Sequence, residues 1–356
     1  MANLFDYLKW RGDLSFSSSP IADVDASILS MIVYIDFEKL CGGVPMTLRD
    51  AAENYCPDAK YDKVKLGLIV PSKNINKLFC QAAESDRFGK LTVTDYVAHT
   101  DVEECCQFAA ATFLTQGKSA IVIFRGTDDT LVGWREDLCL SYMESIPAQR
   151  RALEYLNAAA EKYPDRKFYI AGHSKGGNLA YFSAAHAPES VRERIARVYS
   201  FDGPGLSEND VKSDSFRAIQ RRMMSVVPQS SFIGIMFERG SRTAVVRCEG
   251  IGPYQHDCFS WEVSGAHFVR LPELSPRGKR NEEQFRSAMS SMSSEEKREF
   301  VETFCSMVES TGAKTLTDFS GGGIKKLTAI VKNYGGLDRK KRELMLGLTV
   351  RLFGAK

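Results

Sequence analysis

The chain has 356 residues, 44% of them hydrophobic and 26% charged, with a formal net charge of +2 at pH 7. That length buries a sizeable core, in one large domain or in one domain with an appendage. A charge so near neutrality gives no electrostatic footing for nucleic-acid binding. The nine cysteines are scattered, with no paired C-x-x-C spacing, so neither a zinc site nor a disulfide framework is indicated. A reducing, cytoplasmic setting is expected. Residues 1–13 carry charges where a signal peptide needs an apolar core, and the apolar stretch 28–35 is too short to span a bilayer.

In chain order, 6–11 reads as a short helix closed by a Gly12-Asp13 turn. Asp23 or Asp25 is placed to cap a helix over 26–34, and Thr47 to open another over 48–52. The stretch 64–85 shows no clear period. Alternation of β-branched residues marks a strand at 91–98, and 107–114 and 119–124 are two more around a hairpin turn at 115–118. Residues 147–162 have helical spacing, with Leu153, Leu156 and Ala160 on one side. Parallel strands are expected at 167–170 and 198–201, and later strands at 224–227 and 243–248. Strands alternating with helices define the α/β class, a mostly parallel central sheet flanked by helices.

The run 231–237 reads as a buried strand, with Phe232 and Met236 as candidate acyl-pocket residues. From Pro276 the character changes. A basic linker at 277–281 precedes a helix from Ser294 to about Ser310, with Phe300, Phe304 and Met307 on its apolar side. Glycines 321–323 form a hinge or turn. The amphipathic segment 337–353 either packs on its own domain or rests on an anionic membrane surface. The expected division is a domain over 1–275 and a helical C-terminal extension over 276–356 packed on it.

One nonapeptide organises the chemistry. Gly172-His173-Ser174-Lys175-Gly176 fits G-x-S-x-G, preceded by a β-prone run and followed by a small, apolar helical stretch. A strand, a strained turn and a helix would present Ser174 Oγ above the sheet as a nucleophile, with the glycines giving the backbone room. Such a site needs two amides aimed at a developing oxyanion. Lys175, next after the serine, supplies one; Thr127, in the loop after the strand 119–124, is the candidate for the other.

Phe124-Arg125-Gly126-Thr127, then Trp134 and Asp137, then Gly-His-Ser-Lys-Gly-Gly, resemble the fungal-type lipases of lipase class three. Tyr7-Leu8-Lys9-Trp10-Arg11-Gly12-Asp13, Phe201-Asp202-Gly203-Pro204-Gly205 and Gln255-His256-Asp257 resemble more closely a bacterial family of lipase-like α/β-hydrolases, long known as a domain of unknown function. The resemblance covers nearly the whole chain. It implies an α/β-hydrolase fold and a serine esterase or lipase activity, without fixing the substrate.

Triad order in that fold is serine, acid, histidine, so of the five histidines only His256 and His267 follow the elbow helix. His256, after a long glycine-containing loop, is the preferred base, and His267 the rival. Lipases of class three carry the acid just before a Val-Pro, but Val226-Val227-Pro228-Gln229 holds no carboxylate. Asp202, at a strand end in a glycine-rich turn, is the candidate acid, and Asp257 its rival. The expected reaction is cleavage of a small-molecule or lipid acyl ester through an acyl-enzyme, without metal or organic cofactor. An acyltransferase or thioesterase with the same triad, or an inactive binding protein on the same fold, are the alternatives.

Overall fold

The apolar, β-branched runs of the sequence assemble into a single large sheet. The computed structural model describes residues 1–55 and 72–315 together with Arg342. The strands are β1 (Met46–Thr47), β2 (Thr92–Asp101), β3 (Cys106–Leu114), β4 (Ser119–Phe124), β5 (Lys167–His173), β6 (Ile195–Phe201), β7 (Met223–Pro228) and β8 (Arg242–Val246). They lie side by side in chain order, and Arg270–Leu271 closes the far edge. From β4 to β8 the pairing is parallel. β1 to β4 and the closing edge pair antiparallel. The near-continuous burial of β4 and β7 is what parallel strands covered on both faces require.

Helices α1 (Leu4–Arg11), α2 (Asp23–Ile32), α3 (Phe37–Cys41), α4 (Leu48–Tyr55) and α5 (Ser72–Glu84) bury their apolar sides in one core with Ile121, Ile123, Phe201 and Val226. On the other face lie α6 (Leu131–Cys139), α7 (Pro147–Lys162) and α8 (Lys175–His186), which enclose Val122, Phe124, Ile170 and Val198. The first core is pinned by a fully buried pair, Arg87 and Asp25 at 2.6 Å. Tyr7 donates to the same carboxylate at 2.7 Å, and Arg87 spends its remaining donors on the carbonyls of Leu14 and Pro20. A buried charge survives only with such complete pairing.

Several elements differ from the sequence reading. The unassigned stretch contains α5, with residues 56–71 outside the described set. The helix expected from Ala26 starts at Asp23, because Asp25 accepts the Ala22 amide at 2.8 Å and caps the turn from inside it. Residues 231–237 are bends and turns rather than a strand; Ser231 and Gly234 are drawn onto Asp202, and Phe237 takes a φ of +61°. The expected basic linker is helical, within Pro276–Ser290: Ser275 Oγ accepts the Gly278 amide, Pro276 stands at the first position, and arginine and lysine favour helix.

The next helix, Ser294–Glu309, buries Val301, Cys305 and Val308, whereas Phe304 stays 40% exposed. It packs in the same core as α6 and α7. The glycine turn at 321–323 and the amphipathic segment 337–353 lie outside the described residues, apart from Arg342. Cys80 is disulfide-bonded, a departure from the chain without bridges expected from cysteine spacing. Among the described residues no helix is long and apolar enough to cross a membrane.

Candidate active site

β5 ends at His173 and α8 begins at Lys175, so Ser174 alone makes the turn, with φ +58° and ψ −132°. A non-glycine residue rarely holds such angles unless its surroundings impose them. They are imposed by close packing: a Cβ on Gly172 would come within 2.2 Å of the Gly176 carbonyl carbon, and one on Gly176 within 2.1 Å of the Phe124 oxygen. Only glycine lets strand, helix and β4 meet there. The Ser174 amide donates to the Phe201 carbonyl at 2.9 Å, tying the turn to β6.

The residue after β6 is Asp202, 1% exposed, with φ +45°. Its Oδ2 lies 2.7 Å from His256 Nδ1. Its Oδ1 accepts from Ser231 Oγ at 2.6 Å and from the Gly234 amide at 3.0 Å. A carboxylate held at both oxygens is fixed in place and kept available to the imidazole. His256 closes a short 3₁₀ turn, Gly252–His256, and is 8% exposed. Its carbonyl accepts from His173 Nε2 at 2.7 Å, with the two rings 4.3 Å apart. Burial holds the His173 pKa well below the ordinary histidine value, so it is a neutral imidazole donating one proton to the loop that carries His256.

The loop after β4 abuts the same turn. A Cβ on Gly126 would lie 3.1 Å from Ser174 Cβ and 2.6 Å from the His173 carbonyl. Thr127 Oγ1 donates to Asp137 Oδ2 at 2.5 Å. Burial raises the Asp137 pKa to about 6, against the opposing effects of Lys175 and the Thr127 hydroxyl. The hydroxyl is thereby committed to Asp137. Lys175 is 1% exposed; its Nζ donates to the Gln107 carbonyl at 2.7 Å and to Gln107 Oε1 and Glu136 Oε2 at 2.8 Å. Glu136 in turn accepts from the amides of Gln107 and Ala148. The Lys175 amide, in the first turn of α8, has no partner within its helix.

Asp202 and His256 are bonded to each other, and His173, the neighbour of Ser174, bonds the His256 carbonyl, so β5, β6 and the loop after β8 meet here, with Thr127 and Lys175 on adjoining elements. Phe232 and Met236 are half-buried and flank Gly234, whose amide donates to Asp202. His267 is elsewhere, with Nδ1 2.8 Å from Asp23 Oδ1. Asp257 caps its own 3₁₀ turn through the Phe259 amide at 3.0 Å. The sequence reading missed the supporting residues His173, Ser231, Gly234, Glu136 and Gln107, whose partners lie far off in the chain. Among the described residues one group, His99, Glu104 and Cys106, has metal-ligand atoms within 4.8 Å of one another. It sits on β2, β3 and their connection, and Glu104 is already paired with Arg151.

The profile of the Mbeg1-like family matches residues 82–306. The chain belongs to this family. A search of curated proteins found no match. Among solved structures, a fungal lipase–inhibitor complex is 17% identical over 44% of this chain and 62% of its own, with a TM-score of 0.34. The Rhizomucor miehei lipase–propeptide complex is 16% identical over 44% of this chain and 53% of its own, at a TM-score of 0.33. The M37 lipase is 13% identical over 59% and 67%, at 0.36. The chain therefore spans only 62% and 53% of the first two lipases.

Proposed function

We propose that the chain is a serine hydrolase of the α/β-hydrolase fold that cleaves acyl esters. The observation that carries this reading is the hydrogen bond between His256 Nδ1 and Asp202 Oδ2, supported by the strained turn at Ser174. In this reading His256 takes the proton of Ser174 Oγ as the oxygen attacks the acyl carbonyl. Asp202 holds the imidazole in the tautomer with Nδ1 protonated and stabilises the imidazolium. The amides of Thr127 and Lys175 receive the oxyanion. The alcohol leaves with the proton from His256, and water then releases the acid by the same route in reverse.

Thr127 Oγ1 serves as an anchor for its loop, because its proton is given to Asp137. Substrates are small-molecule or lipid acyl esters, with Phe232 and Met236 as candidate contacts for the acyl group. The test is labelling by a fluorophosphonate probe together with turnover of p-nitrophenyl esters of rising chain length. Wild type should label and turn over, and S174A, which removes one hydroxyl, should do neither while keeping its melting temperature. Residual turnover in S174A close to wild type would end the proposal.

A further inference from the structure

The geometry points to a second binding site, for a phosphate-bearing anion, at the end of the sheet remote from Ser174. Ser174 and Asp202 follow the carboxyl ends of β5 and β6, whereas the second site lies at the amino ends of β6, β7 and β8. There a cavity of about 160 Å³ is lined by Arg197, Arg221, Arg242, Arg270, His267 and Asp23, among others. Arg197 lies near the start of β6, Arg221 immediately precedes β7, Arg242 opens β8 and Arg270 lies on the closing edge strand.

Four arginines and one aspartate line this cavity, in a chain whose whole net charge is only +2. Among the described residues Arg197, Arg221 and Arg242 have no acidic partner; the side chain of Arg197 reaches only the Arg221 carbonyl, at 3.4 Å. Arg270 approaches Asp23 Oδ2 at 3.5 Å, too long for a good hydrogen bond. His267 is bonded to Asp23 Oδ1, and that bond raises its pKa, adding positive character as pH falls. The strands hold these like charges together at a cost in repulsion, and a bound anion would offset it.

Guanidinium forks match phosphate oxygens in pairs, and several arginines around one cavity suit a phosphate, as monoester or diester, better than a carboxylate. The floor of the cavity adds a second requirement. Asp23 is 2% exposed, and its Oδ2 has no hydrogen-bond partner. With only the long Arg270 contact near it, that oxygen keeps a lone pair for a hydroxyl donor. The cavity thus suits a phosphate ester of a polyol, with the phosphate on the arginines and a hydroxyl on Asp23. The aromatic side chain lining it, Tyr199, is 6% exposed, which offers a nucleotide base no platform for stacking. The same chemistry is found in soluble glycerol phosphate and in the headgroup of phosphatidylglycerol.

The experiment compares wild type with R197Q/R242Q, whose exposed side chains are not needed for folding; equal melting temperatures check this. Calorimetric titration with glycerol 1-phosphate and with inorganic phosphate, at low ionic strength, reads the soluble source. Co-sedimentation with phosphatidylglycerol and with phosphatidylcholine vesicles reads the headgroup. Saturable binding of either phosphate that weakens about tenfold or more in the double variant supports the site with a soluble ligand. Sedimentation with phosphatidylglycerol alone, lost in the double variant and at high salt, supports it with a headgroup. Absence of both, or binding unchanged by R197Q/R242Q, overturns it. The result is independent of ester turnover, so it stands or falls apart from the proposed hydrolase.

Discussion

Asp202 Oδ2 and His256 Nδ1 lie 2.7 Å apart although 54 residues separate them in the chain. The pairing makes Asp202→Asn the most direct probe of the proposed triad. Asparagine tolerates the left-handed backbone that Asp202 adopts, so the turn should persist while the partner of Nδ1 becomes wrong. We expect kcat to fall about 10²–10⁴-fold with KM little changed. A folded variant with wild-type kcat would place the acid elsewhere.

The two downstream histidines should separate cleanly. His256→Ala should lose about 10³-fold or more in kcat, since the triad acts as a unit. His267→Ala removes a half-exposed partner of Asp23 far from Ser174 and should leave kcat for a soluble ester unchanged. Steady-state kinetics on both variants decides between them; a reversed result would move the base by one loop.

Asp257, adjacent to His256, should report through stability rather than rate. Burial raises its pKa from 3.8 to about 6, so the folded state holds this proton more tightly than the unfolded state does. Its contribution is therefore most favourable below pH 4 and is lost as pH rises to 6 and above. Asp257→Asn keeps an oxygen for the Phe259 amide and removes the buried charge. Thermal unfolding should show the variant more stable than wild type at pH 8, by about 1–2 kcal/mol, with the gain vanishing near pH 4. Ester turnover should stay near wild type, which also tests whether Asp257 serves as the acid.

Lys175 and Glu136 form an ion pair with both side chains fully buried. Lys175→Met leaves Glu136 as an uncompensated buried charge and should cost about 3–5 kcal/mol in urea denaturation. Adding Glu136→Gln should recover part of that loss, because an unpaired amide is cheaper to bury than an unpaired carboxylate. Additive losses in the double variant would show that the pair is not coupled.

What was legible in the sequence follows from how local each signal is. The hairpin at 115–118 and the helix Pro147–Lys162 match the structure because their turn residues and apolar spacing are contained in one window. The spacing of Ile75, Leu78, Phe79, Ala82 and Ala83 in α5 is equally regular, but a window opened at 64 blurs it. Asp202 was reachable from its strand end and glycine-rich turn. The groups that hold it were not: Ser231 and Gly234 come from 29 and 32 residues away, in a segment whose apolar side chains imitate a strand. Lys175 shows the same limit, since a lysine in a motif looks solvent-facing until Glu136 and Gln107 close over it.

The segment that follows the helix Ser294–Glu309 reaches back to the loop that carries Thr127. The Leu131 amide donates to the Lys314 carbonyl at 3.0 Å, and Thr130 bridges to Thr315 in antiparallel fashion. Thr130 also caps α6, which bears Asp137, the anchor of the Thr127 hydroxyl. A chain trimmed after residue 275 would therefore lose more than an appendage. It would strip the start of α6 of a backbone acceptor and of the packing of Val301 and Cys305. A shortened form made for crystallography or expression would be expected to keep its sheet and lose the setting of the loop that carries Thr127, the proposed oxyanion donor.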